Sequence, residues 1–195
     1  DRLILSKLDT LLADEHSIIA SYHFQKDDRQ KTSESLERAR ALNPKCYRVH
    51  ILDSMIAFCW EQDAKKSLDA LKKCRKTTDP LWRYNDAFLR FWLGQYPSAW
   101  KQCEKIRKQN YPIEKAISKE VTEFNEKLII NGQSKHVLRF WLAFNYYFKQ
   151  DNFPLALPHL EYFLANTDNV DKNMTLLRQK ATGWLADVKN QGQWS

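Results

Sequence analysis

The sequence predicts an all-α fold built of antiparallel helical hairpins, and three observations predict it. Apolar residues recur at helical spacing along most of the chain, and no segment shows the period of two that a half-buried strand needs. The 195 residues include only 4 Gly and 6 Pro, too few for a loop-rich all-β architecture or a glycine-lined nucleotide site. One turn also occurs twice, class for class, as Gly94-Gln95-Tyr96-Pro97-Ser98-Ala99 and Asp151-Asn152-Phe153-Pro154-Leu155-Ala156. A hydrophobic share of 43% and a charged share of 28% are those of a globular chain. The length suits one domain, 1–195, with a core that needs no staples.

The elements follow in order. Leu3, Leu8 and Leu11/Leu12 form an apolar stripe that Ile18/Ile19, Tyr22 and Phe24 extend. Asp14 could cap a new helix, but no Gly or Pro forces a break there. Asp27-Asp28 interrupts the pattern, and 32–42 resumes it with Leu36, Ala39 and Leu42 on one side. Asn43-Pro44 ends it, because a residue before proline avoids the helical region. A helix over 47–60, a turn at Gln62-Asp63 and a helix over 64–77 come next, ending before Asp79-Pro80. A third pair spans 81–93 and 97–109, with Pro97 at the first helical position, where its missing N–H costs nothing. The segment 113–131 is a longer helix with Ile113, Ile117, Val121, Phe124 and Leu128 on one face, and Gly132 stops it. Helices over 136–149 and 154–165 form the last pair. A final helix over 170–190 carries Leu176/Leu177, Trp184/Leu185 and Val188. Short turns between neighbours imply stacked antiparallel hairpins.

The two copies of the turn stay in register beyond it. Four residues after each alanine comes Cys103 or Leu160, and three more give Ile106 or Phe163. This pattern resembles the tetratricopeptide repeat, whose second helix carries Ala, a large apolar residue and Ala at those offsets. A first unit, 13–46, has Ile19 and Ala20, then Leu36, Ala39 and Pro44; a second, 48–80, has Ser67, Leu71 and Cys74. The third is 81–112. The fourth, 137–170, has Tyr147 at the family's aromatic position. The resemblance covers about three quarters of the chain and its units are degenerate: Phe144 stands where Ala20 and Ala87 stand in other units, and the helix over 113–131 interrupts the array. The resemblance implies a right-handed superhelical solenoid with an N-terminal cap helix, one inserted helix and a C-terminal cap helix over 170–190.

It also implies a place for function, the concave groove lined by first helices. The matching positions are Leu52, Ile56 and Trp60; Tyr84, Phe88, Phe91 and Trp92; and Trp141, Asn145, Phe148 and Lys149. Two outcomes stand open. The aromatics anchor a partner's peptide or helix, since such residues dominate binding hot spots. Or the long helix or the C-terminal helix covers them as core. The Lys/Asn/Arg clamp by which some family members hold chaperone C-termini is incomplete here. A module for protein interaction, itself a subunit of a larger assembly or polypeptide, is therefore the expected function, with no cofactor.

The alternative is nucleic-acid binding. The net charge is +7, and lysines recur on second helices: Lys65, Lys72, Lys73 and Lys76, broken by Asp69, then Lys101, Lys105 and Lys108 at i, i+4 and i+7. Such rows contact phosphates or are solvated faces. Self-association through an uncapped end of the array is a third reading. Catalysis finds no footing, because the five histidines are scattered and no nucleophile-elbow, phosphate-loop or zinc-protease motif occurs. Cys46, Cys59, Cys74 and Cys103 make no C-x-x-C pair and no metal site; Cys59, Cys74 and Cys103 are expected as buried hydrophobes in a reducing compartment, cytoplasm or nucleus. No apolar run reaches membrane-span length and no signal peptide is visible. A chain opening at Asp1 is expected to be a fragment or a processed product.

Overall fold

In the computed structural model, which describes residues 2–133, 135–169 and 171–192 (the last two as backbone), the apolar periodicity folds as α-helix throughout. Ten helices and no strand form among the described residues. The chain divides into two compact units, Asp1–Thr78 and Asp79–Ser195.

The first unit holds two hairpins. Helix α1 (Arg2–Gln25) runs unbroken past Asp14 and turns through Asp27, at φ 56°, into α2 (Arg29–Leu42). Asp28 caps α2 by accepting the Lys31 N–H at 3.1 Å. Ala13, Ser17 and Ala20 are fully buried on α1, and these small side chains let it approach Thr32, Leu36 and Ala39 of α2. Helix α3 (Tyr47–Cys59) pairs with α4 (Ala64–Lys72), which Asp63 caps. Ser67 donates to the Ser54 carbonyl at 2.7 Å, so small residues again mark the close approach. Helix α4 ends at Lys72, five residues earlier than expected, and 74–77 follows in three-residue turns. Lys72, Lys73, Arg75 and Lys76 crowd like charge along any continued helix, which disfavours it. Cys59 is exposed, against expectation, because it lies on the outer side of the last turn of α3; Cys46 and Cys74 are buried.

The second unit is built around one helix. Its elements are α5 (Pro80–Trp92), α6 (Tyr96–Lys108), α7 (Glu114–Ile130), α8 (His136–Phe148), α9 (Phe153–Ala165) and α10 (Lys172–Gly192). Val170, the expected start of α10, lies outside the described residues. Hairpins α5–α6 and α8–α9 each close on themselves, α5 and α7 both touch α8, and α10 packs on α9 and α6. From Val137 to Tyr146 every side chain of α8 except Arg139 is buried. A helix apolar all round must be surrounded. Its rings engage neighbours on several sides: Trp141 with Tyr84 at 6.1 Å and Phe91 at 5.7 Å, and Phe140 stacked on Trp184 at 5.1 Å. Phe144, which the sequence aligns with Ala20 and Ala87 of other hairpins, lies parallel to Trp141 at 5.6 Å.

Helix α7 is rotated from its expected orientation. Ile117 and Leu128 are buried, but Ile113 is 57% and Phe124 36% exposed. Glu114, Ser118, Thr122 and Asn125, at i, i+4, i+8 and i+11, are buried instead. The cause is the polar end of α8 and the turn after it, which a purely apolar face could not satisfy.

Candidate functional site

The aromatic groove positions fall into different environments. In the second unit Tyr84, Phe91, Trp141 and Asn145 are wholly buried, Phe88 is 7% exposed, Trp92 and Phe148 are half-buried, and the side chain of Lys149 is buried. Helix α7 covers them from one side. Ser118 donates to Asn145 Oδ1 at 2.9 Å, and the Phe124 ring meets Phe88 at 5.7 Å. The Lys149 ammonium donates to Glu114 at 3.2 Å and to the Gln109 carbonyl at 2.9 Å; both charged side chains are at most 7% exposed. Gln150 adds donations to Ser118 and Thr122. Burial and the neighbouring Glu114 carboxylate push the Tyr84 phenol well above its ordinary value. From another side Trp184 of α10 packs on Phe140 and Phe148. Of the two outcomes the sequence leaves open, these rings take the covered one: α7 and α10 lie over them and α7 pairs the Asn145 and Lys149 side chains, while among the described residues the buried Trp141 Nε1 has no hydrogen-bond partner.

The first unit keeps a cleft open. Four residues of α2 share a face by helical spacing: Arg29, Ser33, Leu36 and Arg40. Asp53 and Ile56 of α3, with Trp60 just beyond it, form the floor and far side. Lys66, Asp69, Ala70 and Lys73 close it from α4 and its cap. The cleft encloses about 440 Å³. Trp60 is half-buried, backed by Phe24 at 4.9 Å and overlaid by the Arg29 guanidinium at 5.1 Å. That arrangement sets an indole at the cleft with a cation over its ring.

Charge around the cleft is partly neutralised. Arg40 binds Asp53, Lys66 binds Glu61 at 2.6 Å, and Lys72 binds Asp69 at 2.8 Å. Arg29 lies 4.0 Å from the exposed Asp27, and Lys73 projects from the opposite wall. Burial lowers the pKa of the adjacent His50; Asp53 opposes this, while Lys73 and Arg40 add to it. Trp60 and Ile56 were the sequence's groove candidates here, and Lys73 and Asp69 entered only with the lysine row; Arg29, Arg40, Asp53, Glu61 and Lys66 were missed. Their signal was legible as Arg29, Ser33, Leu36 and Arg40 on one face of α2.

Both lysine rows are solvent-facing. Lys65, Lys72, Lys73 and Lys76 are exposed in the first unit, and Lys101, Lys105 and Lys108 in the second. Among the described residues no group of three His, Cys, Asp or Glu side chains is placed to hold a metal, and no helix is long and apolar enough to cross a membrane. In comparison with known proteins, no family profile and no curated protein matches this chain.

Proposed function

We propose that this chain is a non-catalytic protein-interaction module of tetratricopeptide-like hairpins stacked as a right-handed solenoid. Its site is the first-unit cleft, and its ligand is a partner segment carrying an apolar anchor flanked by carboxylates. The observation that carries this reading is the half-buried Trp60 between Arg29 on α2 and Lys73 at the end of α4. Aromatic and Arg side chains in a partly desolvated cleft are the usual composition of binding hot spots. The apolar floor suits the anchor, and the two cations suit acids on either side of it. The free thiols fit a reducing compartment, cytoplasm or nucleus.

The exposed lysine rows favour a second reading, nucleic-acid contact, because α4 and its cap carry four lysines near the cleft. One experiment separates the two. The full chain is titrated with a peptide library of acidic segments around a single Leu or Phe, and with labelled single-stranded oligonucleotides over a salt series. The peptide reading expects retention that Trp60→Ser and Arg29→Glu abolish at unchanged helicity. Equal retention by those variants overturns it. Oligonucleotide binding that falls steeply with salt and is lost on Lys72→Glu/Lys73→Glu moves the function to the lysine row.

A further inference from the structure

Helix α1 carries a long apolar face that nothing covers in the described structure. Ile4, Leu8, Leu11, Ile18 and Tyr22 are 49–64% exposed. At about 3.6 residues per turn they form one stripe, diametrically opposite Ala13, Ser17 and Ala20, the side pressed on α2. Their spacing alternates between four and three residues once Glu15 is counted, the repeat with which two helices interlock side chains. So extensive an apolar face is unusual on a monomer.

We propose that a second copy of this chain covers it, through antiparallel pairing of the two α1 helices about a two-fold axis near Leu11. The charges choose this occupant. Glu15 interrupts the stripe, which makes it a poor seat for an apolar peptide or for lipid tails, since a carboxylate there would be desolvated without a partner. The missing cation is on α1 itself. With Leu11 of each copy at the axis, Ile4 faces the second copy's Ile18, and Lys7 faces the second copy's Glu15. The two-fold axis forms that ion pair twice. Parallel pairing in register would set Lys7 on Lys7 and Glu15 on Glu15, so the same charges disfavour it. Among the described residues neither Lys7 nor Glu15 has an ion-pair partner in its own copy. The overlap is about 18 residues, or about 27 Å of helix. The pairing leaves the cleft residues aside, so it stands or falls independently of the peptide reading.

Sedimentation equilibrium on the full chain, with circular dichroism of each variant as a control for folding, tests it. The expected result is a monomer–dimer equilibrium that Leu11→Glu abolishes. Lys7→Glu and Glu15→Lys should each weaken it about tenfold, and the double charge swap should restore it. These side chains are exposed, so helicity should not change. In a Cys59→Ser background, a mixture of Ile4→Cys and Ile18→Cys chains should give a disulfide-linked dimer, which neither gives alone. A chain that stays monomeric at about 0.1 mM overturns the proposal. So does a dimer indifferent to Leu11→Glu, a charge swap that restores nothing, or each cysteine variant linking to itself. A monomer that instead binds anionic vesicles through this face also overturns it.

Discussion

The two units use the same hairpin and leave opposite surfaces behind. In Asp1–Thr78 the contacts within hairpins run through small residues (Ala13, Ala20, Ala39, Ser54 and Ser67), and the aromatic Trp60 stays half-open in a charged cleft. In Asp79–Ser195 extra helices α7 and α10 close over the aromatics, and Trp141 and Phe144 become core. Residue type therefore does not decide whether an aromatic at such a position stays open to solvent. The presence of another helix with matching polar groups does.

That contrast can be broken most sharply at Trp141. Trp141→Ala should cost about 4 kcal/mol in denaturant unfolding of the second unit, because a wholly buried indole leaves a cavity. A variant of native stability would return Trp141 to the groove. Next, Lys149→Ala strands the buried Glu114 carboxylate and should cost about 3 kcal/mol, whereas Glu114→Gln with Lys149→Met should cost much less. Equal losses in thermal melts would mean that the α7–α8 seam is held by packing alone.

A smaller effect is expected from His159, whose pKa burial, aided by Arg139, lowers to about 4 from 6.5. The unfolded chain then binds more protons than the folded one between those values. Stability from this group is full above about pH 6.5 and declines as pH falls toward 4. Melting temperatures of wild type and His159→Gln should converge as pH is lowered through that window; parallel curves would contradict the buried neutral imidazole. In the first unit Trp60→Ala should cost only about 1 kcal/mol, since the side chain is half-open. Least of all, Lys101→Gln with Lys105→Gln should change stability by under about 0.5 kcal/mol, which urea titration would check.

Much of the fold was legible in the sequence. The Pro97 and Pro154 starts, the Asp63 turn and the Asn43-Pro44 stop all mark real helix ends, because capping and proline chemistry act locally. What the sequence could not order was occupancy. Tyr84 and Trp60 look alike as aromatic positions; one is buried against Trp141, the other is left at a cleft. The rotation of α7 was hidden for the same reason. Its apolar positions predicted one face, but the partners that set its orientation are Asn145, Lys149 and Gln150, distant in sequence. Most of the cleft's rim was missed, and Lys73 was named without its cleft, because charged residues at helical spacing read as a solvated face until a second wall stands across from them.

The encirclement of α8 has a consequence during synthesis. Phe140 and Phe144 leave the ribosome long before Trp184, the ring that stacks on one and meets the other. Until α10 emerges, this apolar helix lacks part of its wall and is open to chaperones or to misassociation. The first unit has no such delay, because its hairpins close between neighbours in the chain and can form as they appear. A nascent chain halted before Trp184 should therefore hold a finished first unit beside a second one still in need of shelter.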